Sequence, residues 1–111
     1  MFKVLPNTER IYEAEIECHF VTECGVTNKP FQGVITIIFH PEALYPEYCS
    51  IQDWIDSFKQ KTMNHEVVAR TVYDVFKSIV NCPVKVIVIA ESVIHPPAIC
   101  VVADTKEERE L

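Results

Sequence analysis

The sequence predicts an α+β fold in the order ββααββ, a mainly antiparallel sheet with two helices on one face. Three observations predict it. Residues 12–20 alternate apolar and polar, and residues 33–39 are β-branched and apolar. Two helical stripes then follow with no strand between them, and two strand-like runs close the chain. Strands that flank helices, instead of alternating with them, separate this class from the βαβ architectures.

The first strand places Tyr12, Ala14, Ile16, Cys18 and Phe20 on one face, with Glu13, Glu15, Glu17 and His19 on the other. That is one buried and one wet face. Gly25 and Asn28 break the pattern, and Gly33 to Phe39 form the second strand, paired with the first as a hairpin. His40-Pro41 ends it. Ser50 is a good N-cap, with Asp53 three residues on as the capping-box acid. Ile51, Trp54, Ile55 and Phe58 recur at helical spacing behind it. Asn64 caps a second helix, whose stripe is Val67, Val68, Val72, Val75, Phe76 and Ile79, and Asn81 and Pro83 close it. The last strands are residues 84–90 and 98–103. Between them His95-Pro96-Pro97 makes a stiff connection that cannot be strand interior.

The 111 residues read as one domain, with an acidic tail at about 105–111. A net charge of -6 argues against non-specific nucleic-acid binding, which runs on clustered Lys and Arg. No apolar run approaches the roughly 20 residues that span a bilayer, and the opening MFKVLPNTER carries no signal-peptide core, so a cytoplasmic location is expected. Five cysteines and no CxxC pair argue against a disulfide framework or a structural zinc site. His19, His40 and His95 show no ligand spacing, and two glycines cannot build a phosphate loop.

The candidates for chemistry are few. Cys24 sits at a strand end in a turn, where backbone amides can activate a thiol; the same residue also suits a small semi-buried packing role. His65 and Glu66 open the second helix. An acid there complements the helix dipole, and an acceptor-only carboxylate also suits the amino and amide edge of a guanine-like ring. His65 is a candidate acid or base. Glu47 and Ser50 precede the first helix, as surface acid and cap or as ligand contacts. Cys49 reads as incidental, and Cys18, Cys82 and Cys100 as structural.

Together these residues resemble a known family. The ββααββ order, Cys24-Gly25-Val26-Thr27-Asn28-Lys29-Pro30 before the second strand, and His65-Glu66 are similar to the QueF family of the tunnelling fold. That family comprises the 7-cyano-7-deazaguanine nitrile reductases and their amidine-forming relatives. Glu47, Ser50, Trp54, Ser57-Phe58 and His65-Glu66 fall at the family's spacings without a gap, and the resemblance covers residues 12–104.

The resemblance implies that Cys24 attacks the nitrile carbon to give a thioimide and that Glu66 anchors the deazaguanine ring. It implies that His65 moves protons, that Glu47, Ser50 and Phe31 contact substrate, and that subunits assemble into a ring or decamer-like barrel. Two departures shape the expectation. The reductase lysines fall at Cys49 and Gln52, and its Arg-Gly-Gly is His95-Pro96-Pro97, so NADPH binding is not expected. The family aspartate seven residues after the nucleophile is Phe31, so either His65 or a nearby acid such as Glu23 or Glu47 replaces it as proton donor, or the protein binds without catalysing. The expected enzyme is an amidinotransferase that takes ammonia as co-substrate, needs no other cofactor or metal, and yields an archaeosine-like formamidine. Its substrate is 7-cyano-7-deazaguanine, free or within tRNA or DNA. The alternatives are the NADPH-dependent reductase of queuosine formation and a non-catalytic purine- or pterin-binding protein. The zinc set of the related GTP cyclohydrolase I is missing, with Thr27 at the histidine place.

Overall fold

The computed structural model describes residues 1–91 and 96–104; His95 and the tail at 105–111 lie outside the described residues. In chain order the elements are β1 (Val4–Pro6), β2 (Ala14–Glu23), β3 (Pro30–Phe39), β4 (Leu44–Pro46), α1 (Tyr48–Asp56), α2 (His65–Val80), β5 (Val84–Glu91) and β6 (Ala98–Ala103). A 3-10 turn over Ser57–Gln60 prolongs α1.

The main sheet is antiparallel throughout, in the order β2-β3-β5-β6. Its register explains the alternation in the sequence. One row across the sheet runs Cys18, Ile35, Val88 and Cys100, and the next on that face runs Phe20, Gly33, Ala90 and Ala98. Both helices cover this face. Phe20, Ile35, Ile37, Phe39, Val86 and Val88 are buried there against Ile51, Ile55, Phe58, Val68, Val72 and Phe76. Each such side chain contributes about 1.5–3 kcal/mol on leaving water.

The other face is open. Its rows carry His19, Val34, Ile89 and Ile99, then Glu17, Thr36, Ile87 and Val101. Ile99 is 67% exposed. The face is thus acidic along β2 and apolar toward β6.

Gly33 is required by close approach. A Cβ there would stand 2.0 Å from the Ile89 carbonyl oxygen and 2.9 Å from Phe20 Cε1. The Phe20 ring fills the room that a side chain would take.

Several expectations are corrected. The main sheet and the helices follow the expected order ββααββ, and β1 and β4 add a second, two-stranded sheet that was not expected. Three-residue strands, each holding a proline, are too short to show a period. This small sheet buries Phe2, whose ring lies 5.7 Å from both Trp54 and Phe76. The cap of α1 is Glu47, not Ser50. The Glu47 carboxylate accepts from Cys49 N–H at 2.7 Å and from Ser50 N–H at 3.1 Å. Ser50 instead donates to the Glu47 carbonyl and accepts from Lys3 N–H. A glutamate reaches the first-turn amides because the chain enters α1 extended, held by Glu47 N–H on the Lys3 carbonyl at 2.9 Å. Asn64 occupies the cap position of α2, but its side chain makes no capping bond. Val67 faces solvent; the buried stripe is Val68, Ala69, Val72, Phe76 and Val80. Asn81 closes α2 in the left-handed conformation, φ 54°, as its position suggests.

Asp104 ties the far end of the molecule together. Its carboxylate accepts from the Tyr73 hydroxyl, from Lys77 Nζ at 2.8 Å and from Val84 N–H at 3.0 Å. Partial burial pushes its carboxyl up, but bonds from Lys77, Tyr73 and Val84 outweigh that and hold it low. The same contact, with burial, pushes Tyr73 up to about 12.

Candidate active site

Cys24 is the first residue past β2. Its N–H donates to the Lys29 carbonyl at 2.9 Å, and its carbonyl accepts from Asn28 N–H at 2.9 Å. That closes one helical turn, which Asn28 leaves in the left-handed conformation, φ 56°. A turn of this kind aims successive N–H groups back at its first side chain, as a helix does toward its cap. The Thr27 N–H, the Thr27 hydroxyl and the Val26 N–H, in that order of effect, hold the Cys24 thiol below its ordinary value. Burial does the reverse elsewhere: it pushes Cys18 and Cys82 up to about 11, and it raises Cys100. Cys24 is thus the thiol whose surroundings favour the nucleophilic form.

A short strap carries the opening of α2 to this turn. Thr22 Oγ1 donates to the Lys61 carbonyl at 2.8 Å, Glu23 N–H donates to the same carbonyl at 3.2 Å, and Met63 N–H donates to the Glu23 carbonyl at 2.9 Å. Asn64 Oδ1 then accepts from Gly25 N–H at 3.1 Å. The strap zips along β2 and sets His65 and Glu66 beside Cys24.

A hollow of about 280 Å³ opens at this junction. Cys24, Asn64, His65 and Glu66 form its polar wall; Val26, Phe31 and Ala98 form the apolar one. His65 is fixed by its ring, because Nε2 lies 2.9 Å from the Val88 carbonyl oxygen. A carbonyl only accepts, so Nε2 carries the hydrogen and Nδ1 is left for the hollow. Glu66 is exposed on the rim. Phe31 is buried, with its ring edge-on to Phe20 at 5.8 Å.

Of the sequence-predicted site residues, Cys24, Phe31, His65 and Glu66 meet at this hollow. Glu47 and Ser50 do not line it; both are engaged at the start of α1. Glu23 is likewise held in the strap through its backbone and does not line it. Asn64 is the site residue that sequence reasoning passes over. Its cap position signals α2, and nothing in the sequence signals its bond to Gly25. Among the described residues no three His, Cys, Asp or Glu side chains gather to hold a metal ion.

No protein-family model matches the chain. An NADPH-dependent 7-cyano-7-deazaguanine reductase of Prochlorococcus marinus (strain SARG) is 29% identical over 77 residues, 68% of this chain and 57% of that protein. The protein of the same name from strain MIT 9301 is 31% identical over 70 residues, 62% of this chain and 52% of that protein. The chain therefore spans a little over half the length of these relatives. Among solved structures, an archaeosine synthase QueF-Like in the apo form superposes with a TM-score of 0.77 at 16% identity, covering 82% of this chain and 91% of that one. Likeness at that identity is likeness of fold.

Proposed function

We propose that this sequence relative of the 7-cyano-7-deazaguanine reductases, built on the QueF-like tunnelling fold, is an enzyme that acts on the nitrile of 7-cyano-7-deazaguanine through Cys24. The observation that carries the reading is the convergence of Cys24, His65 and Glu66 on one hollow. The Cys24 thiolate adds to the nitrile carbon; the nitrile nitrogen takes a proton, and a thioimide forms. Ammonia then adds to that carbon and the thiol leaves, giving an amidine and restoring the cysteine. The Glu66 carboxylate accepts N–H groups of the deazaguanine ring.

The proton source follows by elimination. On the family resemblance, Phe31 takes the place of the family aspartate. Glu23 and Glu47 do not line the hollow, and Glu66 is reserved for the ring. His65 is left, and because Nε2 is committed to Val88, Nδ1 is its nitrogen for this transfer.

The names of the relatives favour a second reading, nicotinamide-dependent reduction. The residues of α1 do not fit that cofactor. On the family resemblance Cys49 and Gln52 take the places of the two lysines, and the Gln52 amide is spent on the His19 carbonyl and Asp56. Asp53 and Asp56 leave this helix acidic where a 2′-phosphate needs cations. Assembly through the sheet face that no helix covers and through the outer strands β2 and β6 belongs to the same proposal.

Incubation with the nitrile base and intact-mass measurement tests the reading. Wild type should gain the mass of one ligand and Cys24→Ala should gain none; released amidine should depend on ammonium. No adduct in wild type between pH 6 and 9 ends the proposal, and substrate-dependent NADPH oxidation revives the reductase.

A further inference from the structure

Asn64 behaves unlike a cap. It stands at the cap position of a 16-residue helix, extended at φ -77° and ψ 161°, yet its side chain makes no bond to the first turn of α2. The stabilisation that such a cap bond normally brings is forgone. The side chain reaches away instead, and its Oδ1 takes the Gly25 N–H at 3.1 Å. Gly25 follows Cys24 directly and lies inside the turn that Asn28 N–H closes on the Cys24 carbonyl at 2.9 Å, the turn that also carries Val26 and Thr27, which hold the thiol low. The contact is close enough to constrain the sequence on both sides: a Cβ on Gly25 would stand 2.8 Å from Asn64 Oδ1. Asn64 also lines the hollow beside Cys24.

We propose that Asn64 is a positioning residue for Cys24. By holding the Gly25 amide it fixes the turn that aims the Val26 and Thr27 donors, and it sets that turn at a constant distance from His65 and Glu66. Asn64 touches no reacting atom in this role; it acts through the turn. The inference rests on the reading of Cys24 as the nucleophile, but its test needs no nitrile.

The test follows alkylation of Cys24 by iodoacetamide against pH, read on the Cys24 peptide by mass, in a Cys49→Ser background that removes an exposed competing thiol. Asn64→Ser offers a side chain able to cap α2 but too short to reach Gly25; Asn64→Ala offers neither bond. Both variants should move the alkylation midpoint upward and slow labelling at pH 7 by roughly threefold to tenfold. The thermal midpoint of Asn64→Ser should stay close to that of the parent. Gly25→Ala, which crowds the same bond, should slow labelling similarly, and combining it with Asn64→Ser should add little, since the two remove one interaction. A parental pH profile in both Asn64 variants overturns the proposal, and so does full additivity with Gly25→Ala. Failure of the nitrile adduct in wild type would retire the substrate reading and leave this result standing.

Discussion

His65 Nε2 lies 2.9 Å from the carbonyl oxygen of Val88, so the ring that opens α2 is anchored in the middle of β5. This bond fixes one tautomer and leaves a single nitrogen for chemistry. In the neutral ring Nδ1 only accepts; in the imidazolium it donates. Under the proposed function, thioimide formation should therefore depend on the His65 ring and on the thiol that the turn holds low. Stopped incubations with the nitrile base, read by intact mass, check it. His65→Asn should lower the adduct rate by about 10²–10⁴-fold, the usual worth of a placed proton donor. An unchanged rate in His65→Asn removes the residue from the mechanism.

Glu66 is assigned to binding and not to bond making. Glu66→Gln keeps the size of the side chain but turns part of an acceptor into a donor. Ligand affinity should fall by about 10- to 100-fold, the scale of one charged hydrogen-bonding group. Calorimetric titration of Cys24→Ala protein, which cannot form the adduct, separates this loss from chemistry. Cys24 alkylation in Glu66→Gln should stay close to wild type.

Cysteine reactivity should follow position in the fold. At pH 7–8 Cys24 should label ahead of Cys18, Cys82 and Cys100, whose thiols burial pushes up, Cys18 and Cys82 to about 11. Peptide mapping after brief exposure to iodoacetamide reads the order. Cys49 is exposed and serves as the internal reference. Labelling of Cys82 before Cys24 would contradict the burial pattern.

Gly33→Ala tests the close packing of the sheet behind Phe20. The added Cβ meets backbone at 2.0 Å, which no side-chain rotation relieves. Destabilisation of about 1–3 kcal/mol or more is expected from such crowding. A urea titration of wild type and variant measures it.

Asp104 gives the fold an acid limit. Its carboxyl is held low in the folded protein, so it contributes stability that is present above its unfolded value near 4 and is lost as pH falls through the folded value. Asp104→Asn should cost about 1–3 kcal/mol at pH 7, because Lys77 loses its carboxylate. The difference between variant and wild type should shrink below about pH 4. Thermal unfolding from pH 3 to 7 tests the sign.

The main sheet and both helices are legible in the sequence because each buries one face. Cys18 and Phe20 alternate with His19 and Val21 through a strand wet on one side, and Val68, Val72 and Phe76 mark the stripe of α2. What stays illegible is local or long-range. Val4–Pro6 and Leu44–Pro46 are too short for any period, and they pair across some 40 residues. Ser50 satisfies the cap rule as a residue type, but Glu47 holds the position because Lys3 fixes the entry of the chain. The meeting of Cys24 with His65-Glu66 is legible only as a family resemblance. Physically it depends on the strap from Lys61 to Asn64 lying along β2, which no periodicity announces.

The unused cap of α2 has a consequence for measurement. With the Asn64 oxygen turned toward Gly25, its side chain caps none of the first-turn amides of α2, and Asn64, His65 and Glu66 line the hollow. Such amides exchange their hydrogens with solvent readily, because little must open to expose them. A ligand seated between Cys24 and Glu66 would shield them. Hydrogen–deuterium exchange over the peptide spanning residues 64–68 would then report occupancy directly, with neither label nor turnover, and could rank free bases against larger ligands on the unmodified chain.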